Sequence, residues 1–259
     1  MNKKIKQIAI SGGNGKMGIM LSELIEKHNS YEISGIYDPI TNSDKYHSFK
    51  NYNEINADYL FEFSPSDKIN ENIKYQLDEN INYGLIVGSS GLTNESIDIL
   101  KKISEHRLVI IIPNFSLGAS YQKTFSGILS RVFNNKNIIE KHHSNKKDAP
   151  SGTAIDVAKF MESGVNNVSE YSTKNILNIV NNVLIESIRS DDYLAEQVVS
   201  MSNEYESFTI EHVVKDRKAY LSGINLVLDN LDSLEGYNYG ITSIFKDKAA
   251  TIFNDRFNK

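Results

Sequence analysis

The sequence predicts an α/β chain with one parallel-sheet domain and one smaller, mixed α+β domain. Three observations predict it. Strand-like and helix-like stretches alternate from residue 4 to residue 112, and the alternation changes character after Pro113. A glycine-rich turn, Gly12-Gly13-Asn14-Gly15-Lys16-Met17-Gly18, joins the first strand-like stretch to the first helical one.

Residues 4–11 read as a short buried strand, and 16–28 carry Met17, Met20, Leu21, Leu24 and Ile25 at the spacing of one helical face. Residues 31–37 return to extended character and end at Asp38-Pro39, which completes a β-α-β unit of about thirty residues. Strands over 57–63, 83–87 and 108–112 then alternate with helices over 68–79 and 94–105. Strands alternating with helices imply a parallel sheet covered on both faces, a Rossmann-like arrangement. Beyond Pro113, helices are expected over 120–133 and 152–161, and strands over 138–142, 183–188, 197–201 and 208–214. That pattern calls for a more antiparallel sheet. A last helix over 218–231 and a short strand near 239–244 have no place in it and are returned to the first domain. The expected division is therefore 1–115 with 218–259 against an inserted 116–217, with hinge crossings near Phe115 and Arg217.

Composition narrows the function. The 259 residues carry a formal charge of −5 with basic and acidic side chains interspersed, so no cationic field exists to hold nucleic acid or an anionic membrane. There is no cysteine, which excludes disulfides, thiolate metal sites and a Cys nucleophile and agrees with a reducing compartment. The basic start at 1–6 is followed by an apolar run, Ile8 to Ile10, far shorter than a signal-peptide core, and no stretch reaches the ~18 apolar residues of a membrane span. The default address is the cytoplasm. No G-x-S-x-G elbow supports a hydrolase, and neither H-E-x-x-H nor clustered carboxylates suggest a metal. Asn-rich runs such as Asn134-Asn135-Lys136-Asn137 and Asn166-Asn167 fall between patterned segments, where Asn suits turns.

A Gly-rich turn between a first strand and a first helix lets the backbone approach a pyrophosphate, whose charge sits on the unpaired N–H groups of the helix start. Gly13, Gly15 and Gly18 give the usual G-x-G-x-x-G; Gly12, Gly15 and Gly18 give an even spacing, and the sequence leaves both open. Asp38 lies twenty residues after Gly18, at the end of the second strand. An acid there accepts hydrogen bonds from the ribose hydroxyls of NADH and repels the 2′-phosphate of NADPH. Pro39 stands where an Arg would help hold that phosphate, so NADH is expected to be preferred, with Lys16 in the loop leaving NADPH open.

The second motif is Glu140-Lys141-His142-His143-Ser144-Asn145-Lys146-Lys147-Asp148-Ala149-Pro150-Ser151-Gly152-Thr153-Ala154. A lone histidine is more often structural than catalytic, and successive strand residues point to opposite faces. Here the neighbours argue for chemistry. Lys146 lies one short turn beyond, and Asp148 to Thr153 reads as a helix entry: Pro150 holds Ala149 extended, Ser151 caps, and Gly152 leaves the backbone N–H groups open. A helix N-terminus with hydroxyls beside it seats a carboxylate, and imidazole and ammonium beside it supply protons.

Together with Gly88-Ser89-Ser90-Gly91 and Pro113-Asn114-Phe115-Ser116-Leu117-Gly118, these motifs resemble the 4-hydroxy-tetrahydrodipicolinate reductase (dihydrodipicolinate reductase) family, over nearly the whole chain and in order. The resemblance implies an NAD(P)H-dependent oxidoreductase of the diaminopimelate route to lysine. It reduces a small cyclic dicarboxylate at C4 after loss of the 4-hydroxyl as water, with protonation at C3. It also implies that His142 is the general acid and Lys146 a proton donor, and that His143, Ser151, Gly152 and Thr153 grip the substrate carboxylates. Gly12, Gly15, Lys16, Met17 and Asp38 then contact adenosine and pyrophosphate, with Gly18 closing the motif, while Gly88, Ser90, Asn114 and Phe115 surround the nicotinamide. The second domain binds substrate and, by the same resemblance, assembles a homotetramer through its sheet.

Some positions depart from the family pattern. Ser187-Ile188-Arg189-Ser190-Asp191-Asp192 stands where S-I-R-G-G-D is usual, Ala195 and Gln197 replace a Gly and a His, and 63–66 lacks an Arg found in some members. Losing glycines changes the allowed backbone angles, so the 190–197 loop is expected to be built differently. Two other readings compete: a two-domain amino-acid dehydrogenase of the aspartate or homoserine type, and a silent nucleotide-binding module. Neither has a reason to keep the His doublet, Lys146 and the D-A-P-S-G-T entry together, and function is argued from the site.

Overall fold

The computed structural model describes residues 4–78, 81–164 and 176–244. The end of the expected 68–79 helix, the Asn166-Asn167 run, the first three residues of the basic start and the tail beyond 244 lie outside the described residues. The chain divides into two compact units, Met1–Phe115 with Leu221–Lys259, and Ser116–Tyr220.

In the first unit the strands are β1 (Lys6–Ser11), β2 (Tyr31–Tyr37), β3 (Ser48–Phe49), β4 (Tyr59–Glu62), β5 (Gly84–Val87), β6 (Val109–Ile111) and, late in the chain, β12 (Tyr237–Tyr239). They form one seven-stranded parallel sheet in the order β12-β6-β5-β4-β1-β2-β3. Central strands are apolar but for Glu62 at the end of β4, because helices cover both faces: every residue of β4, β5 and β6 is buried. Helices α1 (Lys16–Ile25), α2 (Ile69–Tyr75), α3 (Asn94–Ile103) and α6 (Leu221–Asn230) supply that cover. Leu21 and Ile25 of α1, Ile69 and Ile73 of α2, Leu100 of α3 and Ile224, Val227 and Leu228 of α6 are all buried. Thr93 starts α3 by accepting a hydrogen bond from the Ser96 N–H. Gly223 of α6 lies against the Phe115 carbonyl so closely that a Cβ there would sit 1.9 Å from the oxygen, which ties the returning helix to the end of the first pass.

The strand expected near 239–244 is observed at Tyr237–Tyr239, because Gly240 takes φ +76° and turns the chain into a short 3-10 segment at Ile241–Ser243. The expected 218–231 helix opens as a 3-10 turn over Arg217–Tyr220 before α6 begins. Two-residue β3 was invisible to any periodicity argument.

The second unit holds a five-stranded mixed sheet, β11-β10-β7-β9-β8. Its strands are β7 (Asn135–His142), β8 (Ile176–Val180), β9 (Val183–Arg189), β10 (Ala195–Ser202) and β11 (Ser207–Val214). Only β7 and β9 pair in parallel. Strand β8 was not anticipated. It joins β9 through Asn181-Asn182, both with positive φ (52° and 56°), the requirement of a two-residue hairpin turn that Asn meets better than most residues. Helices α4 (Leu117–Leu129) and α5 (Gly152–Phe160) pack on one face, where Ala154, Val157 and Ala158 meet Ile138, Val183, Ile185 and Val199. The start of α4 falls three residues before the expected 120 because Ser116 caps it, accepting from Ala119 N–H.

Candidate functional site

In the first unit, strand register places the candidate cofactor groups along one edge. Ser11 pairs with Tyr37 and with Glu62, Glu62 with Val87, and Val87 with Ile111. The segments that follow these residues begin at Gly12, Asp38, Phe63, Gly88 and Ile112, and all leave from the carboxyl end of the sheet. The strand order reverses between β1 and β4, the point at which open α/β sheets bind dinucleotides.

The geometry of the loop separates the two glycine readings. Gly12 makes the tight turn with φ +71° against the Phe63 carbonyl. Gly15 precedes α1, and a Cβ there would meet only the Gly12 carbonyl at 3.1 Å, so the approach to the helix start stays open. Gly18 lets the helix pack on the loop, since a Cβ would lie 2.5 Å from Gly13 Cα. This geometry matches the three glycine roles expected of a dinucleotide loop, with Gly12, Gly15 and Gly18 in the candidate positions. Gly13 is small for a different reason: a Cβ would strike Ile36 at 2.4 Å. Lys16 is exposed and Met17 half-buried at the helix start.

Asp38 is half-buried, and its Oδ1 accepts from the Ile40 and Thr41 N–H groups at 3.0 and 3.3 Å, which shapes its own turn and leaves Oδ2 for a ligand hydroxyl. Ser90 is exposed and Asn114 half-buried. Phe115 is different: the residue is 3% exposed, its ring packed edge-on against Phe63 and beside Gly88, where a Cβ would collide with both rings. What Phe115 can offer a cofactor is therefore backbone, with its ring serving as floor.

Sequence reasoning passed over Glu62. It is fully buried and joins three of these segments: its carboxylate accepts from Ser11 Oγ (3.0 Å), Tyr52 OH (2.7 Å) and Ser64 N (2.8 Å), and its carbonyl accepts from Gly88 N (3.0 Å) and Ser89 Oγ (3.2 Å). Burial, and then the neighbouring carboxylate, push the Tyr52 phenol up, so it stays a donor. A lone carboxylate ending the apolar run Tyr59-Leu60-Phe61 was the available signal.

In the second unit, His142 closes β7 and His143 is the first residue past it, so only His142 is oriented by the sheet. A turn follows, with Lys146 N–H bonded to the His143 carbonyl at 3.0 Å. Lys146 Nζ contacts both oxygens of Asp148 at 2.8 and 2.9 Å. Burial raises the Asp148 carboxyl, but the Lys146 ammonium more than offsets it and the group sits below its usual range. Ser151 caps α5, its hydroxyl accepting from Ala154 N–H at 3.2 Å. Gly152 and Thr153 form the first turn, and a Cβ on Gly152 would meet nothing within 4 Å. The space over that helix start is clear for a ligand, as a carboxylate seat requires.

Beneath His142 lies Glu140, 0% exposed, which was quoted in the motif without a role. It accepts from His142 Nδ1 at 2.5 Å, and Arg189 grips it with Nη1 at 3.0 Å and Nη2 at 2.8 Å. Burial would raise this carboxyl, yet hydrogen bonds from His142 and Arg189 hold it at about 2.

The loop lacking the usual glycines is closed by side chains. Ser144 donates to Asp191, Ser190 Oγ to Asp192 at 2.8 Å, and Ser190 N–H to the His142 carbonyl at 3.1 Å. Among described non-glycine residues only Asn181 and Asn182 have positive φ, so this loop needs no left-handed backbone. Gln197 points into the covered face, where its amide donates to Gln122 Oε1 at 3.0 Å and Gln122 donates to the Gln197 and Ile210 carbonyls at 2.8 and 2.9 Å. The expected cofactor residues thus lie wholly in the first unit, and the proton donors and carboxylate seat wholly in the second.

Two family models cover nearly the entire chain: "Dihydrodipicolinate reductase, N-terminus" matches residues 6–115 and "Dihydrodipicolinate reductase, C-terminus" matches 117–245. The chain belongs to the dihydrodipicolinate reductase family. This reductase is 31% identical to a 4-hydroxy-tetrahydrodipicolinate reductase of Legionella pneumophila (strain Philadelphia 1), over 91% of this chain and 97% of that one. It is 29% identical to the enzyme so named from Lactobacillus helveticus (strain DPC 4571), over 93% and 99%. A solved structure described as dipicolinate-bound dihydrodipicolinate reductase from Paenisporosarcina sp. TG-14 shares the fold with a TM-score of 0.74 at 22% identity, covering 92% of this chain and 98% of that one. The reductase is an oxidoreductase, and its first unit is of the NAD(P)H-binding type. Among the described residues, no helix is long and apolar enough to cross a membrane.

Proposed function

We infer that this reductase converts 4-hydroxy-tetrahydrodipicolinate to tetrahydrodipicolinate, in the diaminopimelate route to lysine. The observation that carries this reading is the folded His142–Thr153 segment, which sets an imidazole, an ammonium and an open helix start within one turn of chain. Loss of the 4-hydroxyl as water leaves a conjugated cyclic imine. NADH, when bound, supplies the hydride that adds at C4. His142 donates the proton that arrives at C3, so substrate, NADH and one proton become product, NAD⁺ and water. Lys146 holds a ring carboxylate and replenishes protons, while His143, Ser151, Gly152 and Thr153 seat the carboxylates against the start of α5. A dipicolinate-bound relative supports a small dicarboxylate ligand.

A coupled assay tests the reaction. Substrate is made in situ from pyruvate and aspartate semialdehyde by the preceding synthase, and NADH or NADPH oxidation is followed. Synthase-dependent oxidation is expected. None with either cofactor, from folded protein that binds NADH, would sink the reading in favour of a silent module.

In the first unit, Gly12, Gly15, Lys16, Met17 and Gly18 take the pyrophosphate, Asp38 the ribose, and Gly88, Ser90, Asn114 and Phe115 the nicotinamide end. NADH is preferred because the Asp38 carboxylate meets the ribose where NADPH carries a phosphate. Asp38→Ala is expected to raise the apparent KM for NADH, narrow the gap to NADPH and leave kcat nearly unchanged. A fall in kcat with no cofactor effect would reduce Asp38 to a cap on its turn.

The substrate unit also carries the assembly. Ile139, Leu184 and Val198 sit half-buried on the sheet face away from Ala154 and Val157, with Leu177, Ile179 and Val213 more exposed beside them. We propose that this face joins copies of the chain into a homotetramer. Sedimentation equilibrium at micromolar concentration reads the mass, and a monomer there refutes it. The absence of cysteine supports a cytoplasmic address, which cell fractionation checks.

A further inference from the structure

Glu140 and His142 are two residues apart on β7, so their side chains share a face of the strand. Register pairs His142 with Arg189, the last residue of β9, which brings a permanent cation beside the same carboxylate. Four hydrogen bonds converge on the two oxygens of Glu140: Oε2 takes His142 Nδ1 (2.5 Å) and Arg189 Nη1 (3.0 Å), and Oε1 takes Arg189 Nη2 (2.8 Å) and the Ser151 backbone N–H (3.1 Å). Arg189 Nη2 also reaches the Asp148 carbonyl at 2.6 Å. Both ends of the turn that leads into α5 are therefore tied to the pair that holds the imidazole.

A carboxylate with no proton accepts and does not donate, and the hydrogen bonds from His142 and Arg189 keep Glu140 in that state against the effect of its burial. Its partner nitrogen on His142 must therefore carry a proton whether the ring is charged or neutral. In the charged ring Nε2 also carries one and can release it. After release the neutral ring is left as the Nδ1–H tautomer, still held by Glu140, so proton transfer needs no rotation of the ring. The guanidinium balances the Glu140 charge, which lets the carboxylate steer the imidazole without leaving an uncompensated charge in the core.

We propose that Glu140, clamped by Arg189, is a positioning residue that makes Nε2 the proton-delivering nitrogen of His142 and locks that ring to the helix start seating the substrate carboxylate. The proposal rests on His142 being the acid. Without the clamp, the ring samples the other tautomer and the Asp148–Ser151 turn loses two anchors, so proton delivery and carboxylate seating fail together.

The first test uses the wild-type protein. In protein labelled with ¹⁵N-histidine, the neutral form of His142 is expected as the Nδ1–H tautomer; the Nε2–H tautomer overturns the proposal. The second uses Glu140→Gln, whose amide turns a donor toward either Arg189 or His142. In the folded variant, kcat is expected to fall by up to about 10⁴-fold, as a wrong-tautomer variant of a buried carboxylate–histidine pair does, with a tautomer mixture at His142 and weaker binding of dipicolinate by calorimetry. The KM for NADH should hold, and Glu140→Asp should recover part of kcat. Unchanged kcat with an unchanged tautomer overturns the assignment. If His142→Gln alone leaves turnover intact, the acid role itself has failed; if His142→Gln abolishes turnover while the tautomer is Nε2–H, only the clamp has.

Discussion

Replacing His142 with Gln is expected to lower kcat on the order of 10²–10⁴-fold, the usual contribution of a general acid. Gln keeps a polar side chain of similar reach but has no proton to give near neutral pH. The surroundings make the substitution a clean one: His142 is the last residue of β7, 16% exposed, and its backbone carbonyl accepts from Ser190 N–H whatever the side chain. Folding should survive, because Arg189 continues to neutralise Glu140. NADH affinity should hold as well, since the proposed cofactor residues all lie in the first unit. Stopped-flow and steady-state oxidation of NADH, with circular dichroism to check folding, make the measurement. Turnover within threefold of wild type in a folded variant would falsify the acid assignment.

The second large effect is expected at Lys146. Its ammonium bonds both oxygens of Asp148 in the ligand-free chain, and a substrate carboxylate must share or displace that partner. A hydrogen bond to a charged group contributes roughly 1.5–3 kcal/mol, so Lys146→Met should cost about 10- to 100-fold in kcat/KM. The loss deepens because Asp148, 58% exposed, is then a bare anion facing a dicarboxylate. Lys146→Arg separates two roles. Recovery of substrate KM by Arg, with kcat still depressed, identifies both a charge contact and a proton donor, because guanidinium does not release its proton. Wild-type kcat/KM in Lys146→Met would remove this residue from the site.

Much of the candidate site was legible because the residues proposed for it are local in sequence. The phosphate loop lies within seven residues, and strand, turn, helix and acid follow in order; backbone geometry then chose Gly12 over Gly13 as the turn residue, since only Gly12 has positive φ. The His142–Thr153 segment likewise packs donor and seat into one turn. Glu62 and Glu140 were not legible as hubs. Their partners come from distant strands: Arg189 is 49 residues from Glu140, and Ser11 is 51 from Glu62. Gln197 and Asp191 read only as departures until the sheet showed the first paired with Gln122 and the second with Ser144.

By itself the sequence determined the parallel-sheet unit, the mixed second sheet and the glycine turn between β1 and α1, and it marked out the His142–Thr153 segment as the candidate site. These follow from periodicity and turn chemistry, which act over a few residues and leave their mark in order along the chain. Tertiary structure decided which buried carboxylates hold those segments still, that the Phe115 ring is buried against Phe63, and that β3 and β8 exist. A hydrogen bond between strands depends on register, and register is settled by the packing of the whole sheet. No window of sequence contains it.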